Sequence, residues 1–111
     1  MNLAFYFAII LLMIVLNFDT LDSTNKYIME HHDSLEDFTF VSCKFQTAGK
    51  GREDRSWLSQ KGENILASFL VKNREFISEF PLFSICTAVS IMKVLRKMGV
   101  ENISIKWPND V

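Results

Sequence analysis

Hydrophobic and polar positions divide the chain into stretches of different period. Leu3 to Leu16 (LAFYFAIILLMIVL) is an apolar run of 14 residues with no charge. As a helix it would reach about 21 Å, short of the roughly 30 Å hydrocarbon core, and Phe18 and the flanks would have to help it span. Three readings stay open: a membrane-associating helix over residues 3–18, a buried strand or helix, or extra sequence upstream of a domain that starts near Phe18. Met1-Asn2 has no basic side chain and Asn17-Phe18-Asp19 is a poor cleavage site, so a secretory signal is not expected. Lys26 alone lies near the run, so the positive-inside comparison decides nothing.

Beyond the run the pattern becomes that of a folded domain. Ser23 or Thr24 can N-cap a short helix that continues to about His32 and breaks at Asp33-Ser34. Phe38 to Phe45 (FTFVSCKF) is aromatic and β-branched with partial alternation, and predicts a strand. Gln46 to Ser59 has no apolar period and reads as a loop. Gly62 to Val71 predicts a second strand, of the kind buried on both faces. In Pro81 to Met98, Ser84, Thr87, Ser90, Lys93 and Lys97 recur at spacings of three and four among apolar residues, which predicts a helix packed on a sheet. Pro81 suits its first turn, Lys93, Arg96 and Lys97 complement its C-terminal dipole, and Gly99 is placed as the left-handed cap. Ile103 to Trp107 alternates as a short strand that Pro108-Asn109-Asp110 ends as a turn. Strand, loop, strand, helix, strand is an α/β or α+β order, with a mixed sheet and flanking helices.

Composition narrows the function classes. The 111 residues are 49% hydrophobic and 23% charged with 4 Gly and 2 Pro, which excludes disorder and low complexity and leaves room for one ordinary domain. Lys+Arg 12 against Asp+Glu 13 gives a net charge of −1, so there is no electrostatic footprint for nucleic acid. Cys43 and Cys86 lack zinc-ligand spacing and are expected to be reduced core residues. His31 and His32 are adjacent and cannot share one helix face as a metal pair, so a solvated surface dipeptide is expected.

The candidate chemistry is concentrated in Gly49-Lys50-Gly51-Arg52-Glu53-Asp54-Arg55-Ser56-Trp57. Glycines at 49 and 51 would let amide N–H groups point into a concavity, where Lys50, Arg52 and Arg55 add positive charge and welcome an anion. The loop is neither a Walker A sequence nor a GxGxxG fingerprint. A solvated loop in which Glu53 and Asp54 neutralise its own arginines is an equal reading of the segment by itself.

Two flanking motifs decide between them. DSTNKYI at 22–28, QTAGKGREDRSWLSQKGEN at 46–64 and KWPND at 106–110 together resemble the catalytic domain of biotin protein ligases, over about Phe18 to Val111. The resemblance implies a fold related to class II aminoacyl-tRNA synthetases, with residues 1–17 a hydrophobic segment and 18–111 part of a biotin/lipoate ligase-type catalytic domain. It also implies activation of biotin by ATP to biotinyl-AMP, then transfer to a lysine of a biotin carboxyl-carrier protein or domain, as in acetyl-CoA or pyruvate carboxylase. By the same resemblance Ser23, Thr24, Asn25, Gln46, Gly49, Lys50, Gly51 and Arg52 would bind biotin. Arg52, Arg55, Trp57, Asn109 and Asp110 would face the ATP or adenylate, with Asp110 toward Mg²⁺. Arg52 and Lys50 are the catalytic candidates. A cytoplasmic ligase follows, because ATP and the carrier are there, with membrane association through residues 3–18 still open.

Each residue has a plainer reading beside it: a helix cap for Ser23 and Thr24, core packing for Trp57 and Trp107, a turn former for Asp110, a snorkelling strand lysine for Lys106. Lys50 stands where the family usually has arginine and loses the bidentate fork. Glu53 and Asp54 put acids where a neutral or basic residue and a glycine are usual. The lysine-bearing strand that follows KWPND in the family is not among these residues, so a partial catalytic domain is expected, without biotin-dependent ATP–pyrophosphate exchange of its own. No helix-turn-helix pattern precedes Phe18, so no repressor module is expected. The alternatives are a membrane-anchored, noncatalytic protein with a degenerate ligase-like domain and, with weaker motif support, a lipoate or octanoate ligase.

Overall fold

The computed structural model describes residues 13–72, 80–107 and 110–111. They fall into two compact units, one up to Lys72 and one from Asn73 onward. In the first unit the order is β1 (Val15–Leu21), α1 (Thr24–His31), β2 (Phe40–Gln46) and β3 (Leu66–Phe69), and the second holds α2 (Phe80–Lys97).

The sheet order is β1-β2-β3. β1 runs parallel to β2, with Leu16 opposite Val41 and Phe18 opposite Cys43, and β3 runs antiparallel to β2, with Leu66 opposite Cys43 and Ser68 opposite Val41. Parallel neighbours need a crossover, and α1 supplies it. The sheet is therefore mixed and the architecture α/β, the class expected, although the order that builds it starts with the unexpected β1 and shows no strand after α2 among the described residues.

Residues directly opposite each other share a sheet face, which puts Leu16, Phe18, Val41, Cys43, Leu66 and Ser68 on one side. α1 covers that side: Ile28, Val41, Cys43 and Leu66 are buried, and the Phe18 and Tyr27 rings lie 4.8 Å apart. Thr39, Val41 and Cys43 are buried at every second position of the chain through β2, the period-two pattern of a half-buried strand.

Several expectations are corrected. Val15–Leu21 is a strand, so the C-terminal end of the supposed 3–18 membrane helix is sheet; residues 3–12 lie outside the described residues. Among the described residues no helix is long and apolar enough to cross a membrane. The strand expected over 62–71 shrinks to Leu66–Phe69, because Gly62 turns the chain at φ +76° and Ile65 projects 93% exposed. It is also not buried on both faces, since Phe69 is 46% exposed. Ile103–Trp107 is not a strand; Lys106 and Asp110 form an isolated bridge, by backbone bonds of 2.8 and 3.1 Å. Alternation there has no partner strand to pair with among the described residues, and without a ladder it does not make a sheet element.

Cys43 is buried and Cys86 exposed, so the second cysteine is not a core residue. In the second unit α2 ends as expected. Gly99 adopts φ +87° and its N–H donates to the Arg96 carbonyl, while the Val100 N–H donates to the Leu95 carbonyl, both at 3.0 Å. These are the two bonds of a Schellman ending.

Candidate functional site

The start of α1 and the end of β2 meet. Ser23 caps the helix from an extended backbone, its Oγ accepting from the Lys26 N–H at 3.3 Å. Thr24, the next residue, is buried at 3% exposure. Its backbone N–H donates to Gln46 Oε1 at 2.9 Å, and its hydroxyl donates to the same oxygen at 3.2 Å. Thr24 Oγ1 also lies 2.8 Å from Ser68 Oγ. A hydroxyl has one proton, and that of Thr24 goes to Gln46, so Ser68 donates to Thr24. The relay Ser68, Thr24, Gln46 therefore has a direction. A main-chain N–H can only donate, which fixes the Gln46 amide with its oxygen toward Thr24 and its nitrogen outward. That nitrogen donates to no protein acceptor among the described residues.

The outward nitrogen rests on Gly49. A Cβ at Gly49 would lie 2.7 Å from Gln46 Nε2 and 2.9 Å from the Trp57 carbonyl oxygen. Glycine is required there by close approach and not by backbone angle. Gly51 is under no such pressure, since its nearest neighbour would be an ordinary 3.5 Å away.

From Gly49 to Trp57 the loop folds back on itself. The Gly51 N–H donates to the Arg55 carbonyl at 2.6 Å and the Trp57 N–H to the Gly49 carbonyl at 2.8 Å. The Gly51 amide is thus used within the loop and does not point into a concavity, which corrects half of the expected glycine cradle. At the tip, the chain makes a tight turn closed by the Arg55 N–H donating to the Arg52 carbonyl at 3.3 Å, in which Glu53 and Asp54 both sit at the left-handed φ of +57°. Lys50 pairs with Asp54 at 3.9 Å and Arg55 with Glu53 at 3.1 Å. Arg52 forms no ion pair among the described residues. Trp57 is 59% exposed and Trp107 74%, so neither is a core residue.

The loop is tied to the helix start by main chain. Thr47 and Ala48 donate their N–H groups to the Leu21 and Asp22 carbonyls at 3.0 and 2.8 Å. Asp22 accepts from Lys26 Nζ at 2.7 Å and from Thr47 Oγ1 at 3.3 Å. The Lys26 bond and charge hold the Asp22 carboxyl below its usual range and push the Lys26 ammonium up in turn. A shallow pocket of about 240 Å³, lined by Leu21, Ser23, Lys26 and Tyr27 among others, opens beside this corner.

Thr24, Gln46, Gly49 and Trp57 are thereby brought together, with Ser23 adjacent. Asn25 is exposed, and its Nδ2 reaches only Met29 Sδ at 3.9 Å. Asp110 stands in the second unit, paired with Lys106, and Asn109 lies outside the described residues. No cluster of three or more metal-ligating side chains occurs among the described residues. Ser68 was not anticipated, because a serine in a short apolar strand has no local signal; only the register opposite Val41 places it under Thr24.

A family model described as the biotin/lipoate A/B protein ligase family matches residues 17–111. The bifunctional ligase/repressor BirA of Escherichia coli is 31% identical over 91 residues, covering 82% of this chain and 28% of that protein. BirA of Bacillus subtilis is also 31% identical, over 94 residues, 84% of this chain and 29% of its own length. The biotin–protein ligase of Schizosaccharomyces pombe is 34% identical over 101 residues, 86% of this chain and 14% of that protein. The chain thus spans less than a third of the length of these relatives.

Proposed function

Because the chain belongs to the biotin/lipoate A/B protein ligase family, we propose that the corner formed by Ser23, Thr24, Gln46 and the 49–57 loop is the biotin and nucleotide site of a biotin–carrier-protein ligase. The observation that carries this reading is the held Gln46 amide: its oxygen is fixed by Thr24 and its nitrogen is presented over a glycine whose missing Cβ makes room for it. A cyclic urea has one strong acceptor and two N–H donors. The Gln46 Nε2 donates to the acceptor, while the remaining lone pairs on Thr24 and Ser23 accept from the donors. Asn25 borders the same helix start.

The acyl end of biotin is a carboxylate, and its activation means bringing that anion to the α-phosphate of ATP. Two anions approach only where fixed cations and amide donors lower their repulsion beforehand. Arg52 offers a planar fork of donors to the carboxylate and the phosphate, and Lys50 a point charge beside it. Gly49 and Gly51 allow the main chain to come close. Arg55 supports the phosphates, and the exposed indole of Trp57 offers a face for adenine. The carboxylate oxygen bonds to phosphorus as pyrophosphate leaves, giving biotinyl-AMP. A carrier lysine then takes the acyl group and releases AMP.

Mg²⁺ is held elsewhere in proteins by one or two carboxylates together with substrate phosphates, and Asp110, with Asn109 beside it, has the donor chemistry for that role. The ion would neutralise phosphate charge. The carrier is a biotin carboxyl-carrier protein or domain of an acetyl-CoA or pyruvate carboxylase, and the setting is the cytoplasm, where ATP and that carrier occur.

Calorimetric titration of biotin, with lipoate in parallel, tests the reading. Biotin should bind, and Gln46→Ala should weaken it by about 10- to 100-fold, as loss of a buried hydrogen-bonding group does. Preferential binding of lipoate, or biotin affinity indifferent to Gln46→Ala, would overturn it.

A further inference from the structure

The loop proposed to take the nucleotide carries its own counter-anions. Of its three cations, Lys50 is paired with Asp54 and Arg55 with Glu53, at 3.9 and 3.1 Å, and Arg52 alone has no ion pair among the described residues. The pairing is built by backbone geometry. Glu53 and Asp54 both take the left-handed φ of +57°, a conformation that costs a non-glycine residue free energy. The Gly51 to Arg55 hydrogen bond at 2.6 Å closes the turn beneath them. Both acids are strongly exposed, at 78% for Glu53 and 95% for Asp54, as are the cations they pair with, at 72% for Lys50 and 79% for Arg55.

We infer that Glu53 and Asp54 are affinity-setting residues that a polyphosphate must displace from Lys50 and Arg55 before the loop can hold it. This rests on the ligase reading of the loop. In the ion-paired state the segment Lys50–Arg55 has three positive and two negative charges, so an incoming anion meets a nearly neutral tip with one unpaired guanidinium. Arg52 makes the first contact, and Lys50 and Arg55 engage once their partners swing out. An exposed pair contributes little to stability, which is what makes it displaceable. Displaced carboxylates on the same short loop still repel a bound phosphate at low ionic strength and are screened from it at high. Neutral ligands should not sense them. The acids therefore make nucleotide affinity low and strongly salt-dependent while leaving contacts to uncharged groups unchanged.

Calorimetric titration of the full chain with pyrophosphate and, separately, with adenosine tests this, comparing the parent with a Glu53→Gln/Asp54→Asn double variant. Both substitutions keep side-chain size, and Asn tolerates the left-handed conformation at least as well as Asp. Circular dichroism confirms that the variant is folded. The expected result is about tenfold tighter pyrophosphate binding by the variant at low ionic strength, a gain that collapses in 0.5 M salt, with adenosine affinity unchanged. Equal pyrophosphate affinity in parent and variant, or a gain shared by adenosine, would overturn the inference and leave the ligase reading standing. If neither protein binds pyrophosphate, the loop is not a phosphate site and both fall.

Discussion

Gly49 is the residue on which the corner turns. Its missing Cβ leaves room for the Gln46 amide and the Trp57 carbonyl, both of which would otherwise be under 3.0 Å away. The Gln46 side chain can swing aside, but the Trp57 carbonyl is main chain and cannot. Gly49→Ala should therefore cost about 1–3 kcal/mol of stability, as overpacking does, and weaken biotin along with it. Thermal midpoints and a biotin titration of the variant check this. The spacing of two glycines around a lysine was legible in the sequence, but their unequal roles were not. Gly51 serves a turn whose amide stays inside the loop, a distinction that only the partner of each N–H reveals. The two acids at 53 and 54 were legible as neutralising the arginines, which holds for Glu53 on Arg55, whereas Asp54 pairs with Lys50 instead.

At the scale of elements, the short helix α1 depends on its first turn. Ser23 satisfies one N–H there, so Ser23→Ala should lower stability by about 1 kcal/mol, read as a shift in the denaturant midpoint. Packing against β2 and β3 then supplies what eight residues cannot supply by propensity alone. Burial also separates the two thiols. Burial pushes the Cys43 thiol up from its ordinary range, whereas Cys86 is exposed on α2. A thiol reagent at pH 8 should modify Cys86 quickly and Cys43 only as fast as the protein opens; equal fast rates would contradict the burial of β2.

Helices were easier to read than strands. α2 matched because its polar spacing, its basic last turn and Gly99 all point the same way. β1 was masked by the apolar run before it, although Leu16, Asn17, Phe18 and Asp19 alternate within it. The stretch 103–107 alternates as well as β1 does and is no strand, because pairing is a property of two segments and alternation of only one.

For the molecule as a whole, net charge says little and local pairs say more. Asp19 is held below its ordinary value of 3.8 by its hydrogen bond to Lys61, and Asp22 by its bond to Lys26. A carboxyl lowered in the folded state adds stability that is present above the unfolded value and lost as pH falls through the folded one. Thermal midpoints should therefore hold above about pH 4 and decline below it, and Asp22→Asn should lessen that decline. Lys26 works with the opposite sign, so its contribution is complete below 10.5 and fades as pH rises beyond it.

If the start of α1, the end of β2 and the 49–57 loop make one binding corner, ligands should perturb all three. The most direct measurement is mapping of backbone amide shifts in ¹⁵N-labelled protein, first with biotin and then with ATP added. Biotin should move Thr24, Gln46 and Gly49 through Arg52, and ATP should then move Arg52 through Trp57. Shifts confined to other residues, or a loop that stays silent while Thr24 and Gln46 move, would contradict a single binding corner.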